Sequence, residues 1–285
     1  MFKFSYNSNG LRYISPREAI KEVALYGYDA IELSLDQVWL KYNTITKDDT
    51  NALIKTAAEH LVEFSALATG ADDLLSIIPY EPSLIHYKKG GRKQRVKLIK
   101  KAVKISRMLG IKRLNFASGK LYSDISRDEA MTYLVEGIKE CLKHDHDITL
   151  MIEPEPGMFI ETTKQAITLI NEIRDERLRL NLDVGHVICC EDNYIEKIRQ
   201  ACRFTEHVHM EDIKDKTHRH LIPGKGSADI KGILKVLMEE GYNNFISVEL
   251  YEDAYIYKTA LRESIDYLKK MIFEINNEEK RKVGC

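Results

Sequence analysis

Short β-rich stretches alternate along the chain with longer stretches whose apolar positions recur at helical spacing. This alternation favours parallel βαβ units over an all-β fold or a helical bundle. The predicted strands begin at Phe2, Ala30, Glu63, Arg113, Thr149, Leu178, Phe204 and Phe245. Each strand is followed by a plausible helix, and the chain has 285 residues. Eight such units predict a single α/β domain, a (β/α)8 TIM barrel.

The helix boundaries carry recognisable signals. In SPREAIKEVALYG, Ser15 is the predicted N-cap, Pro16 lies in the first turn and Gly27 stands at the far end. A second apolar stripe, in RKQRVKLIKKAVKISRMLG, stops at Gly110. Because no linker rich in Pro, Gly or Ser divides the chain, we expect one barrel over residues 1–275 and a frayed tail over 276–285.

Composition narrows the range of partners. The formal net charge of −1 indicates no general affinity for nucleic acid or for a membrane surface. No stretch reaches the roughly 18 consecutive apolar residues of a membrane helix. The five cysteines form an odd set without CxxC spacing, and the chain opens on MFKFSYNSNG without the apolar run of a signal peptide. These features predict a reduced, cytoplasmic protein.

Four successive predicted strands in the second half end in residues that bind hard divalent metals. They are Glu153 in IEPEPG, Asp183 and His186 in NLDVGH, His209 in HVHMED, and Glu249 in SVELY. The C-terminal ends of parallel barrel strands share one face, so residues distant in sequence converge there. Carboxylate oxygens with a neutral imidazole suit a divalent cation such as Mn, Co, Mg or Zn. The sequence therefore predicts one metal site.

Each motif also has a structural alternative. Alternation along a strand sends Glu153 and Glu155 to the same side, where an acidic pair is costly without a cation; solvated loop carboxylates are the alternative. Asp183 could instead cap the following helix. In HVHMED we favour His209 because it lies nearer the strand end, and we expect His207 to occupy a deeper layer of the barrel.

Polar residues after His209 are candidates for substrate contact. Asp212 is expected to orient a ligand or hold substrate. The glycine-rich segment KTHRHLIPGKG is expected to be a loop that overhangs the site. In this segment, His218 and His220 are expected to form part of a second metal site or, together with Arg219 and Lys225, to bind an anionic substrate group, with a solvated loop as the alternative.

Weaker candidates stand elsewhere in the chain. Glu32, Asn115 and Ser118 follow earlier strands and could contact substrate. The basic residues 88–92 could reach a phosphate or carboxylate at the mouth of the barrel, whereas the lysines further along that helix are expected to form a solvated face.

Together, the motifs IEPEPG, LDVGH, HVHMED, HRHLIPGKG and SVELY resemble the sugar phosphate isomerase/epimerase superfamily. These xylose isomerase-like TIM barrels include ketose 3-epimerases, inosose dehydratases and apurinic endonucleases, and the likeness covers most of the chain. The resemblance implies one divalent ion bound by Glu153, Asp183, His209 and Glu249. It also implies that the two glutamates act as base and acid on a bound sugar, while His186 contacts a substrate oxygen. Glu155, on the same side of its strand as Glu153, is a further candidate for substrate contact.

The function implied is that of a metal-dependent isomerase or epimerase of a sugar, sugar phosphate or related polyol ketone. The reaction would proceed by proton abstraction beside a metal-bound carbonyl, through an enediolate. The alternatives are an inosose- or dehydroshikimate-type dehydratase, an apurinic endonuclease-like hydrolase and a non-catalytic carbohydrate sensor. A histidine, His218, replaces the acid of the endonuclease pattern, so one ion is expected, with a second as the alternative. A homodimer or homotetramer is also expected.

Overall fold

A closed barrel of parallel strands forms the centre of the computed structural model, which describes residues 2–36, 39–69, 74–145 and 147–283. The strands in chain order are β1 (Lys3–Asn7), β2 (Ala30–Ser34), β3 (Glu63–Ala68), β4 (Arg113–Ala117), β5 (Thr149–Glu153), β6 (Leu178–Asp183), β7 (Thr205–Met210), β8 (Asp212–Lys214), β9 (Thr217–Leu221) and β10 (Phe245–Val248). Strands β1 to β7 and β10 form the barrel, and β10 closes it by pairing with both β7 and β1. The predicted (β/α)8 fold is confirmed.

Helices cover the outside of the barrel. They are α1 (Pro16–Leu25), α2 (Lys47–Glu59), α3 (Lys89–Leu109), α4 (Arg127–Leu142), α5 (Thr163–Ile173), α6 (Val184–Cys190), α7 (Tyr194–Ala201), α8 (Ile230–Glu239) and α9 (Tyr257–Val283). Short 3-10 turns occupy Ser8–Leu11, Cys202–Phe204 and Tyr251–Ile256. The apolar faces of the helices pack on the strands, which places a continuous hydrophobic core between the two layers.

Local sequence explains where these helices start and stop. Ser15, Thr46, Ser126 and Thr162 each form a reciprocal capping box, in which the cap hydroxyl accepts from the backbone three residues on and that residue's side chain accepts from the cap backbone. Helix α3 ends at Gly110, whose φ of 73° is the left-handed conformation that glycine adopts without strain. These signals set the lengths of the βα connections and so the positions of the strand ends.

The segment after β7 is a β-hairpin, not the loop that the sequence predicted. Strands β8 and β9 pair antiparallel around Asp215 and Lys216, both of which have positive φ angles of 55° and 51°. Positive φ at both central residues is the geometry of the two-residue turns that match strand twist. The prediction was wrong because Asp-Lys lacks the glycine by which such turns are usually recognised.

The C-terminal helix α9 runs from Tyr257 to Val283, and Ile275 on it is buried. The expectation that residues 276–285 fray stays a prediction, as does the domain boundary at 275. Within the described ranges, no helix is both long enough and apolar enough to cross a membrane.

A buried arginine holds residues 80–82, which precede helix α3. Arg95 on α3 donates to the Pro82 carbonyl at 2.8 Å and to the Tyr80 carbonyl at 2.6 Å. Burial lowers the pKa of its guanidinium to about 10. The arginine thereby fixes a segment at the mouth of the barrel.

We expect Arg95→Met to lower the free energy of unfolding by about 2–3 kcal/mol, because carbonyl oxygens lose a charged donor in a buried setting. Urea-induced unfolding measures the change. Lys97→Met on the same helix is the matched control: Lys97 is exposed, and its change should stay within about 0.5 kcal/mol. Equal losses in both variants would contradict the assigned contacts.

Candidate metal centre

Four side chains predicted as metal ligands lie together at the C-terminal end of the barrel. One ligand atom from each of Glu153, Asp183, His209 and Glu249 lies within 4.8 Å of the others. Around Nδ1 of His209, the Glu153 Oε1 lies at 3.0 Å, the Glu249 Oε2 at 3.2 Å and the Asp183 Oδ2 at 3.7 Å. The strand ends of β5, β6, β7 and β10 therefore supply one ligand each.

In each of the three carboxylates, one oxygen accepts a hydrogen bond from the protein and the other faces Nδ1 of His209. Asn115 donates its side-chain amide to Glu153 Oε2 at 2.7 Å. The backbone N–H of His186 donates to Asp183 Oδ1 at 2.8 Å, so Asp183 also caps helix α6. Capping and ligation were alternatives in the sequence, but the two oxygens allow one side chain to do both.

Two asparagines from the first βα connection hold the third carboxylate. Asn7 and Asn9 donate their side-chain amides to Glu249 Oε1 at 3.1 Å and 2.8 Å. Oε2 is then directed to His209. Among the described residues, the buried Asp183 Oδ2 has no hydrogen-bond partner. Three converging carboxylate oxygens and one imidazole nitrogen are a donor set that fits a hard or borderline divalent cation.

The other ring nitrogen of His209 contacts Glu32. Nε2 lies 2.9 Å and 3.0 Å from the two Glu32 oxygens, although β2 and β7 are not neighbours, so this contact crosses the barrel interior. A carboxylate behind a histidine fixes the ring and its tautomer, and so leaves Nδ1 as the ligand atom. Burial opposes charge on this ring, but Glu32, Glu249 and Glu153 outweigh it and raise the pKa of His209 well above its usual value.

His207 belongs to the layer below. It is fully buried, and its Nδ1 lies 2.9 Å from Asn181 Oδ1. Burial lowers the pKa of His207 to about 3, which makes the ring neutral. Asn181 also places its amide nitrogen 3.3 Å from His209 Nδ1, so it links the two rings.

A second cluster consists of three histidines. His218 Nε2 lies 3.0 Å from His186 Nε2 and 3.1 Å from His220 Nε2. The Nδ1 atoms of His186 and His220 lie 2.9 Å and 3.0 Å from the carbonyls of Pro154 and Glu249. Since a carbonyl only accepts, each Nδ1 carries the hydrogen, and both rings direct their Nε2 atoms into the cluster. Burial opposes charge on the His186 ring, but the Asp183 and Glu153 carboxylates outweigh it and raise the pKa of His186.

Strand alternation explains how the hairpin supplies this cluster. His218 and His220 are two residues apart on β9 and so project from one face, whereas Arg219 projects from the other. Arg219 is exposed and pairs with Glu252 at 3.0 Å. The hairpin therefore places the imidazoles of His218 and His220 at the site and the guanidinium of Arg219 at the 3-10 turn that precedes α9.

Other predicted substrate contacts lie outside the centre. Asp212 accepts from the backbone of Gly224, Ala228 and Ile213, so its carboxylate holds the loop after β9. Lys225 pairs with Glu263 of α9 at 3.0 Å. In the basic segment 88–92, the guanidinium of residue 92 donates to two backbone carbonyls of residues 86 and 87. These groups are engaged in structural contacts and are not brought to the metal ligands.

Glu155 lies at the edge of the site, where it is half-buried. Burial raises the pKa of its carboxyl to about 7; Glu153 also raises it, whereas His186 opposes the shift. Glu211, which directly follows β7, is fully buried, and burial together with the Asp183 carboxylate raises its pKa well above the usual value.

Several residues that support the candidate ligands were not expected in that role from the sequence. Glu32 and Asn115 contact His209 and Glu153, and their contact with substrate stays a prediction. Ser118 accepts from the Ile160 backbone and fixes a loop. The asparagines 7, 9 and 181 were missed. A signal existed for the first of these: Asn7 ends β1, and barrel closure places β1 beside the strand that leads to residue 249.

Fold and site together define a barrel with carboxylate and histidine side chains clustered at its C-terminal face. Residues 20–271 match the model of the xylose isomerase-like TIM barrel family, and the chain belongs to that family. The resemblance drawn from the motifs is confirmed.

Among curated proteins, the chain is 28% identical over 155 residues to hydroxypyruvate isomerase of Escherichia coli K12, covering 52% of this chain and 58% of that protein. It is 22% identical over 145 residues to an inosose dehydratase of Clostridium botulinum, covering 44% and 49%. It is 18% identical over 240 residues to L-ribulose-5-phosphate 3-epimerase UlaE of Salmonella typhimurium, covering 83% and 82%. The chain thus spans about half the length of the first two relatives.

Among solved structures, the IOLI protein with a bound zinc atom superposes with a TM-score of 0.77 at 20% identity, covering 96% of this chain and 98% of that chain. A D-tagatose 3-epimerase-like protein gives a TM-score of 0.77 at 20% identity, covering 95% and 100%. These likenesses show the same fold.

We expect Glu32→Gln to weaken the binding of Mn²⁺ by about 10- to 100-fold, because the ring of His209 loses the carboxylate behind it. Calorimetric titration of metal-free protein measures the dissociation constant. Glu63→Gln, on the exposed end of β3, is the matched control and should bind as the unmodified protein does. Unchanged affinity in both variants would show that Glu32 does not support the ligand.

Proposed function

We propose that this protein is a divalent-metal-dependent isomerase or epimerase of a sugar or related polyol ketone. The observation that carries the proposal is that three carboxylate oxygens face Nδ1 of His209. In each of these carboxylates, the other oxygen accepts a hydrogen bond from the protein. Glu153, Asp183, His209 and Glu249 would hold the ion. Such an ion acts as a Lewis acid that polarises a carbonyl oxygen and stabilises charge developing on it.

The protein's own residues would move the proton. Glu153 and Glu249 each present one oxygen to the ion site and receive asparagine amides on the other, so both carboxylates are fixed in position beside a bound substrate. One glutamate would remove the proton beside the substrate carbonyl and the other would return a proton. Return at the same carbon on the opposite face gives an epimer, and return at the neighbouring carbon gives an aldose or ketose isomer.

The histidine cluster supports a hydroxyl-rich substrate. With its Nδ1 hydrogen on the Pro154 carbonyl, His186 has Nε2 left to contact a substrate hydroxyl, and His218 lies beside it. Glu155 at the edge of the site would contact a further hydroxyl. The curated relatives include an isomerase, an epimerase and a dehydratase of small carbonyl compounds or sugars, which supports this class of substrate.

A dehydratase is the second candidate. Removal of the proton beside a carbonyl is the first step of both reactions, and the dehydratase then expels a hydroxyl group instead of returning a proton. The similarity to inosose dehydratase favours keeping this candidate. Product mass separates the two reactions, because dehydration lowers it by one water.

We expect the protein to exchange the substrate proton beside the carbonyl with solvent deuterium. NMR measures this exchange for a panel of ketoses, their phosphates, hydroxypyruvate and inososes. Glu153→Gln and Glu249→Gln should each slow this exchange by about 10²- to 10⁴-fold, because each removes a proton-transfer group. Glu136→Gln, exposed on α4, should leave the rate unchanged. Exchange at the normal rate in both site variants would contradict the proposal.

Metal content of the same preparations tests the ligand set separately. We expect Asp183→Asn to lose the ion, because an amide carries no charge to balance the cation. Absence of any divalent ion after reconstitution would overturn the proposal. Near three zinc ions per chain would favour phosphodiester hydrolysis, and substrate binding without turnover under every metal would favour a carbohydrate sensor.

A further inference from the structure

Tyr80 holds a backbone conformation that tyrosine rarely adopts. Its φ angle is 63°, in the left-handed region where the Cβ atom crowds the following carbonyl oxygen. Such conformations persist only where the surrounding contacts enforce them, and they concentrate at binding and catalytic sites. Tyr80 lies between β3 and α3, on a connection at the C-terminal face of the barrel. The strained residue is therefore a candidate for a role at that face.

Contacts on both sides of Tyr80 enforce this conformation. The Arg95 guanidinium donates to the Tyr80 carbonyl at 2.6 Å and to the Pro82 carbonyl at 2.8 Å. The backbone N–H of Glu81 donates to the Ile78 carbonyl at 3.1 Å. The fold therefore determines the direction in which the Tyr80 side chain leaves the backbone.

The Tyr80 side chain contacts the edge of the candidate metal centre through Glu155. Its hydroxyl donates a hydrogen bond to the Glu155 carboxylate. The Glu155 backbone is held in turn, because its N–H donates to the Ile160 carbonyl at 3.2 Å and its carbonyl accepts from the Met158 N–H at 3.0 Å. The Glu155 carboxylate also attracts His186, a proposed substrate contact. Tyr80 and Glu155 thus form a fixed tyrosine–carboxylate pair beside the site.

The tyrosine–carboxylate pair offers hydrogen-bond acceptors and no free donor. Glu155 uses the only hydrogen of the Tyr80 hydroxyl, and the phenolic oxygen keeps its capacity to accept. A carboxylate accepts about four hydrogen bonds, so Glu155 has capacity left as well. Two acceptors side by side match two neighbouring hydroxyl groups, each of which can donate. The oxygens of a phosphate ester dianion only accept, so they find no donor in this pair.

The charges of the same segment also disfavour a phosphate. Glu81 adds a second acid directly after Tyr80; it is 5% exposed, and its Oε2 accepts from the Ser83 N–H at 3.0 Å. The cation that contacts this segment is Arg95, which is 7% exposed and engaged by two backbone carbonyls. Burying an anion without a compensating cation is costly. A group that donates hydrogen bonds and carries no charge suits the pair better.

From these contacts we propose that Tyr80 and Glu155 bind two neighbouring hydroxyl groups at the end of the substrate remote from the reacting carbonyl. The protein then selects a free ketose or polyol ketone over its phosphate ester. The inference rests on the proposed function, because the carbonyl at the metal centre defines which end of the substrate faces the pair. Tyr80 determines specificity in this proposal and takes no part in proton transfer.

Solvent-deuterium exchange by the unmodified, metal-loaded protein tests the substrate class. NMR compares the free ketoses D-xylulose and D-ribulose with their 5-phosphates. We expect kcat/KM for the free sugar to exceed that for its phosphate by at least about 10-fold, the effect of one hydrogen bond. An equal or higher value for the phosphate would overturn this inference and leave the proposed function intact. Absence of exchange over the whole panel of carbonyl compounds would overturn the proposed function itself.

Tyr80→Phe separates specificity from a structural role. Loss of the hydroxyl should raise KM for the free ketose by about 10-fold and leave kcat within about twofold, because the proton-transfer groups are unchanged. Dihydroxyacetone has no hydroxyl beyond the carbons next to its carbonyl, so its KM or inhibition constant should not change. Tyr87→Phe, an exposed tyrosine on the same connection, is the matched control. Equal losses with both compounds in Tyr80→Phe would mean that Tyr80 only shapes the site, which contradicts the proposal.

Glu155→Gln tests the acceptor side of the pair. The amide supplies a donor and removes a negative charge, so the preference for the free ketose over its phosphate should fall by about 10-fold. An unchanged preference would contradict the role of the pair. Thermal unfolding of each variant confirms that the fold is retained.

Discussion

The site depends on one electrostatic constraint: Glu32, Glu153, Asp183 and Glu249 all lie against a single imidazole, that of His209. Like charges at this spacing repel strongly in a buried setting, so the arrangement persists only if each acid has a positive or hydrogen-donating partner. Asparagine amides and one helix N-terminus supply donors to three of the acids. The imidazole faces all four, and the raised pKa of His209 reflects the negative potential around it.

The barrel meets this constraint through its topology. Each ligand comes from a different strand end, so no local segment has to bend to bring two of them together. Closure between β10 and β1 places Asn7 and Asn9 beside Glu249, although the asparagines lie at the opposite end of the chain. The barrel interior, which is polar here, lets Glu32 reach His209 from a strand that is not its neighbour. The closed sheet that stabilises the fold therefore also fixes the four candidate ligands and the side chains that contact them.

The convergence of Glu153, Asp183, His209 and Glu249 could be predicted from the sequence, because an acid or histidine after an apolar run is unusual and because the barrel makes strand ends converge. The contacts of Glu32 and Asn115 with His209 and Glu153 could not, since a polar residue at a strand end does not reveal which side chain it faces. The hairpin β8–β9 was missed because its turn lacks glycine. The backbone partners of Asp212, among them Gly224 and Ala228, could not be predicted because they come close to it only once the hairpin has formed.

Asp183 shows why separate interpretations of one motif need not exclude each other. Its Oδ1 accepts the His186 N–H and begins α6, which directs the His186 ring towards the three-histidine cluster. Its Oδ2 faces His209 and lies in the group that includes Glu211. Because the cap hydrogen bond holds the Asp183 carboxylate, Oδ2 has a fixed position without contacts of its own. The helix cap and the candidate metal ligand are thus the same carboxylate. A substitution that kept the cap and removed the ligand would have to replace a single oxygen, and Asp183→Asn approximates that change.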